Sequence, residues 1–231
     1  DRDAVVARAL AAGVEAMVSI GTGEGPPDLE AGIRMAERYP CVWTTVGVHP
    51  HDAAKADERT IVRLEALLAH PKVVAVGEIG LDYHYDFSPR DRQRAVFVEQ
   101  IDLANRAGLP IVIHTREAWP DTFALLEAYW KPAVGGIMHC FSGGPQEAER
   151  CLAMGFHISF AIRKDFSSDI SPPPPPAKYA VPLLRTITPP LEATAEYAPP
   201  TARLTRALSI PVQLRTRPSA PVAASRLFAA L

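Results

Sequence analysis

Short apolar, β-branched runs alternate along the chain with stretches that carry apolar residues at helical spacing. The runs at Ala16–Ile20, Val42–Val48, Val73–Gly77, Pro110–His114, Gly136–Cys140 and Phe156–Phe160 read as strands. The amphipathic stretches Asp3–Ala12, Asp28–Arg38, Glu58–Ala69, Pro89–Ala107, Trp119–Tyr129 and Pro145–Met154 read as helices. Asp28, Ser88 and Gly144 serve as entry signals, while Gly108 and Gly155 read as helix stops. Strands alternating with helices of this length form successive βα units, hence a parallel sheet, and fully apolar strands suit a sheet covered on both faces. Six such units favour an α/β fold of the TIM-type (β/α)8 barrel kind over a doubly wound sheet only slightly. The placement of polar groups strengthens that choice. Glu78 follows VVAVG, His114 ends PIVI and His139 follows GGIM, so three consecutive strands carry ionisable groups where a barrel opens its mouth.

Composition divides the chain of 231 residues near position 170. Residues 1–170 hold all 14 glycines and 24 of the 26 acidic residues against 17 Lys and Arg, a balance near −7. Residues 171–231 contain no glycine, 13 prolines and seven basic residues against Glu192 and Glu196, a balance near +5, and open with Pro172–Pro176. Two readings stand for 162–231: a basic, Pro/Arg-rich disordered extension, or the shifted-frame translation of a GC-rich gene. The 48% hydrophobic share excludes a wholly disordered chain, and no apolar run reaches the roughly 18–20 residues that span a bilayer. Three cysteines without a CxxC pair argue against a disulfide framework; with no visible signal peptide, a cytoplasmic protein is expected.

Two imidazoles and a carboxylate suit a divalent metal such as Mg²⁺, Mn²⁺ or Zn²⁺, which a hydrolase uses to generate hydroxide near neutral pH. His49-Pro50-His51 reads equally as a metal-holding His-x-His pair or as a plain loop. Arg116 is placed to clamp a phosphate, or else to pair with Glu117 or Asp121. Asp82 and Tyr83 follow Glu78 closely enough to line a mouth, and Ser142, lacking a GxSxG elbow, belongs to a substrate-approaching loop. His70, His84 and His157 are expected to be structural or solvated, and the Arg90, Arg92, Arg94 face solvated.

Four motifs in order, GVHPH at 47–51, VGEIGLDY at 76–83, LPIVIHTR at 109–116 and HCFSGG at 139–144, resemble the TatD family of metal-dependent deoxyribonucleases across about residues 1–161. The resemblance implies a (β/α)8 barrel of the amidohydrolase type with a divalent metal centre and 3′–5′ exonucleolytic cleavage of DNA. It makes Glu78, His114 and His139 metal ligands and puts His49 near metal and phosphate. Two departures accompany it. A first strand with a His-x-His pair would have to precede Asp1, and no Glu-Thr-Asp strand follows Ala161. An incomplete barrel of about six units is therefore expected, from an N-terminally truncated sequence frameshifted near 161–170, with open sheet edges that favour aggregation. DNA, single-stranded or at 3′ ends, is the expected partner. A related barrel hydrolase of small esters or amides and an inactive family remnant stand as alternatives.

Overall fold

The computed structural model describes residues 1–161 except Glu24 and Pro27; the expectations for 162–231 lie outside the described residues. Six strands, β1 (Met17–Ser19), β2 (Val42–Val46), β3 (Val73–Asp82), β4 (Ile111–Arg116), β5 (Gly136–Met138) and β6 (Phe156–Ile158), form one parallel sheet in sequence order. The helices are α1 (Arg2–Ala11), α2 (Ala31–Arg38), α3 (Glu58–Leu67), α4 (Arg90–Ala107), α5 (Trp119–Tyr129) and α6 (Pro145–Ala153). Sequential order without a reversal is the winding of a barrel, and the sheet curls as a partial (β/α)8 barrel.

Each strand buries residues because helices cover it. Ile79, Leu81, Ile111 and Ile113 pack with Phe97, Ile101, Phe123 and Leu126 in the largest apolar cluster. Val46, Val48 and Val73 pack with Ile33, Leu64, Val96 and Leu103 in a second. α4 ends at Gly108, whose φ of +62° gives the left-handed stop that glycine adopts freely.

The strands lie where the hydrophobic pattern put them, with instructive differences in extent. β3 runs five residues beyond its expected end at Gly77, through Glu78 to Asp82. All ten of its residues are buried, including those two acids, so the strand continues where the sequence turns polar. Its pairing with β4 slips between Gly77 and Ile79, leaving Glu78 at the irregularity. Such bulges re-aim a side chain next to active sites. β4 likewise continues to Arg116. α2 begins at Ala31 rather than Asp28, and Asp28 instead pairs with Arg34 at 2.6 Å. Ser88 does not cap α4. Its hydroxyl donates to the His51 carbonyl at 2.7 Å and accepts from the Ala54 N–H at 3.0 Å, tying the 3-10 helix Pro50–Lys55 to the β3–α4 loop.

Candidate metal centre

Side chains from four strands and loops converge at the C-terminal ends of β2 to β5. Glu78 Oε1 accepts from His139 Nδ1 at 2.7 Å and lies 3.5 Å from His114 Nδ1. His114 Nε2 donates to Asp82 Oδ2 at 2.8 Å, and His51 Nε2 meets the same oxygen at 3.0 Å. Asp82 is fully buried, and its Oδ1 accepts the backbone N–H groups of His84 and Tyr85 at 3.0 and 2.9 Å. The His49 ring lies 4.4 Å from His114 and 4.3 Å from His51, centroid to centroid, and its Nδ1 accepts the His51 N–H. Ring nitrogens of His49, His51 and His114 all fall within 4.8 Å of one another.

Backbone clamps hold these groups in place. Gln100 of α4 accepts the Val48 N–H at 2.7 Å and donates to the Val48 carbonyl at 3.2 Å, immediately before His49. Gln93, two turns earlier, does the same for Asp82 at 2.8 and 3.0 Å and reaches the Ser88 carbonyl. Gly80 sits opposite His114 in the ladder with φ +141°, and a Cβ there would lie 2.0 Å from the His114 carbonyl oxygen.

The electrostatics follow from this packing. Burial opposes the charge on Glu78, but the imidazoles of His114 and His139 outweigh it and hold the carboxyl well below the usual carboxylate range. Asp82 behaves alike: burial raises its pKa, while the Tyr85 N–H, His51 and His114 bring it down to about 2. His114, between two carboxylates, keeps its proton above the ordinary histidine pKa despite burial. His49 is pushed down to about 4, by burial first and then by His114. Two anionic carboxylates among imidazoles form a nitrogen-and-oxygen donor set that suits a divalent cation.

The expected residues separate into those the structure joins and those it does not. Glu78, His114 and His139 come together, with His49 and Asp82 beside them. Arg116 makes neither suggested ion pair and lies 5.0 Å over the Tyr85 ring, while Glu117 pairs with His84 and Asp121 with Arg94. The Tyr83 hydroxyl donates to Asp121 of α5 at 2.5 Å. Ser142 is exposed, its hydroxyl 3.4 Å from the Thr115 carbonyl. Of the histidines expected to be structural or solvated, His70 lies 3.4 Å from Glu37 and His84 pairs with Glu117. The sequence did not single out the linkage of Asp82 to both His51 and His114, which joins residues 31 and 32 positions apart.

The family model for TatD-related DNases matches residues 1–169. The chain belongs to the TatD family. Its TatD relatives include the metal-dependent hydrolase YabD of Bacillus subtilis, 43% identical over 160 residues, which cover 69% of this chain and 62% of YabD. The 3′–5′ ssDNA/RNA exonuclease TatD of Cronobacter turicensis is 42% identical over 158 residues, 68% of this chain and 59% of that protein. Among solved structures, the TatD homolog YjjV of Escherichia coli superposes with a TM-score of 0.61 at 33% identity, covering 69% of this chain and 61% of that one. The chain thus spans about three fifths of the length of the curated relatives it matches.

Proposed function

We propose that this site binds a divalent metal and hydrolyses phosphodiester bonds of DNA, releasing nucleotides from 3′ ends of single strands. The observation that carries the reading is the Glu78 carboxylate set between His114 and His139, with His49 and His51 packed beside them in a family of metal-dependent hydrolases. Relatives named as ssDNA/RNA exonucleases supply the substrate class.

Glu78, His114 and His139 would hold the metal. When bound, a divalent metal makes water acidic enough to attack at neutral pH and polarises a phosphoryl oxygen. The chain's own groups prepare the site. Glu78 stays anionic across the physiological range. Neutral His49, whose Nδ1 is taken by the His51 N–H, carries its proton on Nε2 and would donate it in a hydrogen bond to a phosphate oxygen. Arg116 has no carboxylate partner among the described residues and is available to a phosphate. The exposed Ser142 and its neighbouring loop amides steady the substrate from the β5 side.

The test is hydrolysis of a single-stranded oligonucleotide with Mg²⁺, Mn²⁺ or Zn²⁺, run beside a panel of small esters and amides. Glu78→Ala, His114→Ala and His139→Ala should each abolish metal-dependent turnover. Turnover retained in any two of them would remove the site assignment. Turnover of the small panel alone would redirect the substrate class.

A further inference from the structure

The β3–α4 loop carries two aromatic rings that the catalytic reading leaves unused. Tyr85 and Phe87 are 48% and 67% exposed and stack on each other, with centroids 5.4 Å apart and planes within 17°. Both meet the His51 ring edge-on, at 5.5 and 4.8 Å. Large exposed apolar rings on a packed domain mark contact sites more often than accident, and these two abut the metal centre.

Three observations indicate what would lie on them. The pair is fixed in place: the Tyr85 N–H is bonded to Asp82 Oδ1, and Asp86 between the rings adopts φ +53° with its carboxylate held by Arg90. The acidic side chains beside it are already engaged, Asp86 in an ion pair with Arg90 and Glu117 in a hydrogen bond with His84. One cation, Arg116, stands over the Tyr85 ring without an ion-pair partner among the described residues. The outer face of this ring stack, beside a guanidinium that no carboxylate among the described residues holds, matches a nucleotide, with its base continuing the stack and its phosphate on the arginine.

We propose that Tyr85 and Phe87 form a base-stacking platform that receives an unpaired base of the substrate strand, with Arg116 on an adjoining phosphate. The proposal rests on the nucleic-acid reading above and assigns its single-strand preference to particular side chains, because a base held in a duplex stack cannot lie on these rings.

The experiment measures fluorescence anisotropy of a short 5′-labelled single-stranded oligodeoxynucleotide with the full chain, in chelator so that nothing is cleaved. Tyr85→Ala and Phe87→Ala should each weaken binding roughly tenfold, the effect of losing one base–aromatic stack. Tyr85→Trp should restore it, and blunt duplex should bind more weakly than the single strand. An oligonucleotide with abasic 3′-terminal residues separates stacking from loop damage. It should bind the wild type about as weakly as Tyr85→Ala binds the intact strand, and Tyr85→Ala should lose nothing further. Equal binding by wild type and both alanine variants, or an abasic penalty that adds in full to the Tyr85→Ala penalty, would overturn the platform. Hydrolysis of bis(p-nitrophenyl) phosphate with Mn²⁺ is followed in parallel. If the wild type hydrolyses it but binds no oligonucleotide, the platform fails and phosphodiester chemistry stands. If it does neither, both readings fail.

Discussion

Replacing Asp82 with alanine tests the core of the structural account, because this carboxylate joins the site to its loop. It is fully buried and accepts four hydrogen bonds, from His51, His114 and the backbone of His84 and Tyr85. Hydrogen bonds to a charged acceptor contribute about 1.5–3 kcal/mol each, offset by several kcal/mol for taking the carboxylate out of water. The net loss on truncation, with four donors left facing a void, should be about 3–5 kcal/mol. For a domain of this size that lowers Tm by about 6–20 °C, at roughly 2–4 °C per kcal/mol. Asp82→Asn keeps an acceptor for the two backbone N–H groups but turns an NH2 donor toward the Nε2 atoms of His51 and His114, so it should cost less than alanine, about 2–3 kcal/mol. Urea titration of chelated protein, followed by circular dichroism, gives the difference directly if the slope m is unchanged. An Asp82→Ala protein within about 1 kcal/mol of wild type would show that desolvation cancels the whole network, and the reasoning would fail.

Other expectations follow from single residues. His49 has its folded pKa lowered to about 4, so the unfolded chain binds more protons between there and about 6.5. Its contribution is complete above about 6.5 and declines as pH falls, and His49→Asn should flatten stability between pH values of about 7 and 5, read as urea midpoints of chelated protein. His114 acts in the opposite sense: its contribution is complete below about 6.5 and is lost as pH rises through its raised value. Gly80→Ala drives a Cβ into the His114 carbonyl, whereas Gly108→Ala meets nothing within 4 Å and bears only its positive φ. Soluble yield and melting should show the first as severe and the second as a loss of about 1 kcal/mol; similar losses would refute the contact. Trp130 is buried with its indole N–H unpartnered among the described residues, so Trp130→Phe should melt within a few degrees of wild type.

Much of this fold was legible because the central strands are buried along most of their length, which writes them as largely apolar, β-branched runs. The reading stopped early at β3 for a physical reason. Gly77, Glu78, Gly80 and Asp82 look like the end of a strand, yet the first three permit close approach or the bulge and Asp82 finds buried partners. The trio Glu78, His114 and His139 could be found because each belongs to its own strand end. Asp82 was legible only as a residue near Glu78; its bonds to His51 and His114, and the aromatic pair at Tyr85 and Phe87, were not, since they lie in contacts that no local pattern records. The bond from Tyr83 to Asp121, 38 positions away, was equally beyond a local pattern.

The two glutamines of α4 turn that helix into a measuring rod. Seven residues separate Gln93 from Gln100, about 10.5 Å along the axis at 1.5 Å per residue. At each mark a carboxamide takes both the N–H and the carbonyl of one backbone unit, Asp82 at one end and Val48 at the other. The separation between the histidine loop after β2 and the aspartate of β3 is therefore graduated on a helix outside the sheet. Inserting one residue between the glutamines would rotate the second mark by about 100° and release that loop, although no group near the metal centre would have changed. Tuning of the site can thus be written into two buried carboxamides of a covering helix rather than into the groups that would hold the metal.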